Sequence, residues 1–136
     1  MSEKPSIPFF TDHNVPDSVG EYLKSEGHFL TRLRDEMAID TPDHVLAVAC
    51  SKSGNVLLTH DMDFRQRQNS KKLDISLREC NNSLHRIILR RDPPNDVKII
   101  KHALPLIETE WLLVSEGRPM YIEINEKGIL ISRLFW

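Results

Sequence analysis

The run Asn-Val-Leu-Leu-Thr at residues 55–59 is followed at once by His60, Asp61, Met62, Asp63 and Phe64. Its apolar residues do not alternate with polar ones, so a strand formed here must be covered on both faces. Helices packed above and below a parallel sheet provide that cover. The abrupt change to two carboxylates one residue apart then puts charge at the end of a buried strand. One stretch therefore limits both the architecture, α/β, and the place where chemistry can occur.

The remaining sequence supplies the other layers. "IPFF" at 7–10 reads as a short buried strand ending at Thr11 and Asp12. Asn14 is placed to cap a helix with Pro16 and Asp17 in its first turn, and Gly27 to close it. "HFLTRL" alternates Phe29, Thr31 and Leu33 on one side, a second strand. In "TPDHVLAVAC", Thr41 is expected to cap, Pro42 to open the helix and Asp43 to meet its dipole. Val45, Leu46, Val48 and Ala49 form its expected buried face, and Gly54 ends it. "HRIILR" gives a fourth strand, and the polar stretch 65–83 is expected to be helix plus loop.

From Asn95 to Glu116, Val97, Ile100, Leu104 and Ile107 recur at helical spacing, with Pro105 expected to kink or split the helix. The final "MYIEINEKGILISRLFW" is two apolar runs around "NEKG", a hairpin signal. Its last residues suit either completion of the sheet or contact with a second copy in a homodimer. Strands alternating with helices predict one α/β domain over residues 1–136, with a mainly parallel sheet and an antiparallel hairpin.

Composition removes several functional classes. No apolar run approaches the roughly 18 to 20 residues that cross a bilayer, so no membrane partner is expected. "MSEKPSIPFF" lacks the basic flank and long apolar segment of a signal peptide. Cys50 and Cys80 are too far apart for metal-ligand spacing, which fits a reduced, cytoplasmic protein with Cys50 in the core. The net charge of −2 does not itself call for nucleic acid. Locally, however, Arg65, Arg67, Lys71, Lys72, Arg78, Arg86, Arg90 and Arg91 face only Asp74 and Glu79 between positions 65 and 91. A cationic rim beside an acidic site is what a phosphate backbone needs, although a solvated helix and loop would read the same way. Arg65 and Arg67 are the best placed to contact substrate.

The acids have a common destination. Ligands of parallel α/β sheets bind outside the carboxyl ends of the strands. Asp12, Asp61 and Asp63 follow strands at that edge, and Asp43 heads a helix that can lie beside it. Two like charges about 4 Å apart repel by about 4 kcal/mol at an effective dielectric of 20. Four such groups must take up protons or recruit a cation. Oxygen donors suit Mg²⁺ or Mn²⁺, and a metal-activated water beside a phosphate is a hydrolytic centre. Each acid also has a plainer role: Asp43 at a helix dipole, Asp12 in an Asx turn, Asp63 as a cap. His13, His44 and His60 adjoin these acids, but neighbours on a strand face opposite ways, so they are expected to point away.

The order "FFTDHNVP", "TPDHVLAVA", "NVLLTHDMDF", "HRIILRR" resembles the PIN-like domains, a branch of the PIN ribonuclease superfamily that includes VapC-type toxins. The matching residues are Asp12, Asn14 and Pro16; Asp43; and Thr59, Asp61, Asp63 and Phe64. The resemblance implies a three-layer α/β/α fold, an Mg²⁺ or Mn²⁺ site and hydrolysis of RNA, often by a toxin paired with a small antitoxin protein. By position, Asp12, Asp43, Asp61 and Asp63 are the implied catalytic and metal-binding acids. Thr59 is implied to orient an acid, and Asn14 to bind a carboxylate or phosphate. His13 stands where many relatives carry an acid, and Asp40 is an alternative to Asp43. A PIN-like fold kept only to bind RNA or protein is the competing reading. A phosphoryl transferase is weaker still, since no Gly-rich phosphate cradle is present.

Overall fold

The structure, a computed structural model, describes residues 4–61, 84–90, 96–114, 119–125 and 128–131. Asp63, Phe64, Arg65, Arg67, Cys80 and the expected 65–83 helix and loop lie outside these residues.

The described elements are β1 (Pro8–Thr11), α1 (Asp17–Ser25), β2 (Phe29–Arg32), α2 (Leu33–Glu36) and α3 (Asp43–Ser53). They continue with β3 (Val56–Thr59), β4 (His85–Leu89), α4 (Asp96–Leu112), β5 (Tyr121–Asn125) and β6 (Gly128–Ile131). The strands form one sheet in the order β2-β1-β3-β4-β5-β6, parallel throughout except for the antiparallel β5–β6 hairpin. The chain moves from β1 to β2 on one side and then returns to place β3 on the other. The gap between the ends of β1 and β3 is thus a topological switch point, where ligands of such sheets bind.

Each face of the sheet carries its own core. Phe9, Val56, Leu58, Ile87, Leu89, Ile122 and Ile124 pack against α1 and α4 through Val19, Leu23, Ile100, Ala103, Leu104 and Ile107. Phe10, Leu57 and Ile88 point the opposite way, onto Leu33 of α2 and Leu46, Ala47 and Cys50 of α3. All four residues of β3 are buried, as an apolar run without alternation requires. The fold is the expected α/β arrangement with helices on both faces.

Several local expectations are corrected. Pro16, not Asn14, occupies the N-cap of α1, so Asn14 lies too early to cap it. Thr41 does not cap α3 either: Pro42 holds the N-cap, and the Thr41 hydroxyl donates to the Ala38 carbonyl. The buried face of α3 is Leu46, Ala47 and Cys50, while Val45 is exposed and Val48 and Ala49 are half-buried. Leu33 opens the short helix α2 instead of continuing β2. Pro105 does not split α4, whose helix runs unbroken past it. Pro105 and Lys101 are both exposed, so the carbonyl that lost its donor can turn to water. Gly27 and Gly54 do take left-handed backbone at the ends of α1 and α3, as expected.

Arg86 is another departure. It lies fully buried on β4, with its guanidinium 4.9 Å from the centre of the Tyr121 ring, and so does not belong to a solvated basic rim. Arg90, at the end of β4, reaches Glu123 at 3.5 Å.

Leu58→Ala should lower stability by about 2–5 kcal/mol in urea unfolding. Phe29→Ala, on edge strand β2 with Phe29 67% exposed, should cost less than about 0.5 kcal/mol. His85 gives a pH prediction. Its Nδ1 accepts from the Met120 amide, and burial holds the imidazole below its ordinary value of 6.5. The unfolded chain binds this proton more readily, so the His85 contribution is present above about pH 6.5 and is lost as pH falls through the lower folded value. Wild type should therefore lose more stability than His85→Gln between pH 7 and pH 5 in matched denaturation curves.

Candidate active site

Asp12 leaves β1 at the carboxyl edge of the sheet. Its amide donates to the Leu58 carbonyl at 3.0 Å, extending the β1–β3 ladder by one step. This places the Asp12 side chain, buried at 5% exposure, beside Thr59 at the end of β3. The Thr59 hydroxyl donates to Asp12 Oδ2 at 2.6 Å and accepts from the Asp61 amide at 3.0 Å. A threonine has one hydroxyl proton, so this geometry commits it to the carboxylate and leaves a lone pair for the amide. The Asp12 carboxylate and the backbone amide of Asp61, far apart in sequence, are thereby joined through one side chain at the switch point.

The other oxygen of Asp12 is held locally. Oδ1 accepts from the His13 amide at 2.8 Å and lies 2.9 Å from His13 Nδ1. The His13 ring was expected to point away; being in a turn and not a strand, it folds back onto its neighbour. Asn14 Oδ1 accepts from the His60 amide at 3.2 Å, tying the β1–α1 turn to the residue after β3. Asn14 thus holds backbone, not a helix end.

Strand alternation then separates Thr59 from His60. Thr59 shares the α3 side of the sheet with Leu57, whereas His60 turns towards α4. Its Nε2 meets Asp96 Oδ2 at 2.5 Å, in the first turn of α4. Asp96 is fully buried, and burial raises its carboxyl above the ordinary carboxylate value, with the His60 bond opposing that rise. Sequence reasoning passed over Asp96. The available signal was an acid opening a helix directly after β4, where its carboxylate returns to the same edge.

Asp43 heads α3 and is half-buried, while Asp40 is exposed in the preceding turn. Further along α3, the Cys50 thiol is pushed up to about 12, first by burial and then by the charge of Asp12. The inner face of α3 packs on the side of the sheet that carries Phe10 and Leu57. Cys50 stays a protonated thiol, which removes it as a nucleophile or metal ligand near neutral pH.

Among the described residues no three His, Cys, Asp or Glu side chains are grouped to hold a metal ion. Asp63, the expected third strand-end acid, lies outside those residues. What Asp12 and Asp61 offer is an all-oxygen donor set, the chemistry of Mg²⁺ and Mn²⁺. A carboxylate has about four lone-pair sites. Among the described residues the His13 amide and ring engage Asp12 Oδ1 and the Thr59 hydroxyl engages Oδ2, so the lone pair left over is on Oδ2.

A family model described as a PIN-like domain matches residues 8–92, from β1 to just beyond β4. The chain belongs to this PIN-like family and, through it, to a nuclease-like superfamily. No curated protein and no solved structure matched the chain. The matched segment contains Asp12, Asn14, Asp43, Thr59, Asp61 and Asp63, and stops short of Asp96.

Thr59→Val keeps the shape of the side chain but leaves the buried Asp12 carboxylate and the Asp61 amide without their shared partner. It should cost about 1–3 kcal/mol in denaturation curves, with Thr59→Ser restoring most of the loss.

Proposed function

We propose that this protein is a metal-dependent endoribonuclease, the toxin component of a pair with a small antitoxin protein, working in the cytoplasm. The observation that carries the reading is the Asp12–Thr59–Asp61 connection at the switch point of a PIN-like sheet. No helix among the described residues is long and apolar enough to cross a membrane, which is compatible with that setting.

In this reading Asp12, Asp43, Asp61 and Asp63 hold Mg²⁺ or Mn²⁺ through oxygen atoms. The bound ion would supply a water acidified towards neutrality and Lewis acidity at the phosphate. Thr59 keeps the Asp12 carboxylate turned into the site. Asn14 fixes the backbone on which Asp61 sits. Arg65 and Arg67, directly after the acids, neutralise the phosphodiester of RNA as it approaches an otherwise anionic pocket. In-line attack of water on phosphorus leaves a 5′-phosphate and a 3′-hydroxyl.

One observation favours a second reading, a domain that binds RNA or protein without cutting. His13 Nδ1 sits 2.9 Å from Asp12 Oδ1. An imidazole there occupies Oδ1 and leaves a cation only the Oδ2 side of Asp12.

The deciding measurement is cleavage of RNA in Mg²⁺ or Mn²⁺ by wild type, Asp12→Asn and Asp61→Asn. Each variant should lose about 10²–10³-fold in rate, the scale for removing one electrostatic stabiliser. Melting temperature should rise with Mn²⁺ in wild type only. Equal activity in all three proteins, or none in any, would remove the nuclease reading.

A further inference from the structure

The family-matched segment ends at residue 92, yet the candidate site is bonded to a residue beyond it. Asp96 is fully buried, in the first turn of the 17-residue helix α4. Its Oδ1 has no hydrogen-bond partner among the described residues, and its Oδ2 lies 2.5 Å from His60 Nε2. A buried carboxylate is costly to desolvate unless paired, so the His60 ring is the group that makes Asp96 tolerable at this position. The ring is itself largely enclosed, with 13% of its side chain accessible.

His60 is bound at two points. Its backbone amide donates to Asn14 Oδ1 at 3.2 Å, and its ring meets Asp96. The residue before it carries the hydroxyl that joins the two acids, and the residue after it is Asp61. Held at backbone and ring by different elements, residue 60 has little freedom to twist, and neither do its neighbours.

We propose that Asp96 and His60 form a positioning pair, which anchors the strand-end acids to the first turn of α4 and fixes the direction of Asp61 through the backbone of residues 59–61. The inference rests on the nuclease reading for its effect on rate, but its structural part is separable. Neither residue touches substrate in this scheme. A hydrogen bond from Nε2 to the carboxylate is the working contact, so another side-chain N–H donor at position 60 should serve.

The test compares wild type, His60→Ala and His60→Gln by two readouts. The first is hydrogen exchange of the Asp61 amide, with amides at the centre of β4 as the reference for global opening. The second is kcat and KM for RNA in Mn²⁺. In His60→Ala, Asp61 exchange should rise and kcat should fall about 10–100-fold, the range for partners that orient metal ligands, with KM little changed. His60→Gln, whose side-chain amide can still donate to Asp96, should recover most of both. His60→Leu replaces His60→Ala if the latter does not fold.

Unchanged Asp61 exchange in His60→Ala overturns the proposal, whatever happens to the rate. So does a loss of kcat in His60→Gln as large as in His60→Ala with Asp61 still protected, since His60 would then act through its own ring. If wild type cuts no RNA, the nuclease reading fails alone. The exchange readout then still upholds the pair if His60→Ala loosens Asp61 and His60→Gln restores it, and overturns it otherwise.

Discussion

A single hydroxyl, that of Thr59, has to satisfy the buried Asp12 carboxylate and the Asp61 amide at the same time. The rest of the candidate site follows from that pair of hydrogen bonds. Asp12 is nearly inaccessible, and a buried carboxyl group needs hydrogen-bond partners within reach. It receives them from three directions: the strand-end hydroxyl, its own following amide, and the His13 ring. The β1–β3 pairing sets the distance at which the hydroxyl can act, because Thr11 is level with Leu58 and the next residues therefore stand side by side. Sheet register and site chemistry are one arrangement.

The sequence made the layers visible, because burial leaves a pattern. Four consecutive buried residues in β3 require cover on both sides, and the flanking segments had helical spacing to provide it. The strand-end position of Asp12 and Asp61 could be read for the same reason. What the sequence did not contain was pairing order. That β1 lies between β2 and β3, so that the acids flank a switch point, depends on contacts between distant segments.

Side-chain partners were the least legible. Asn14 and Thr41 both sit just before helical segments, and propensity alone assigns such residues to capping. Pro16 and Pro42 occupy both N-caps instead, which leaves Asn14 available to His60. Arg86 belonged by sequence to a basic stretch, yet strand alternation turns it inward to the Tyr121 ring. His13 and His60 were both set aside by the rule that neighbours diverge. The rule holds for His60, next to a strand, and fails for His13, in a turn.

The position of β5 has a consequence for how this chain can be cut and recombined. β4 is almost wholly buried and is flanked by β3 on one side and β5 on the other. The segment bearing the family signature stops before β5, so it cannot be excised as an autonomous cassette. Severed there, β4 would become a sticky border with unsatisfied backbone donors and apolar side chains, inviting intermolecular strand pairing. The C-terminal hairpin is accordingly a selvedge to the sheet, covering the border that the matched segment leaves open.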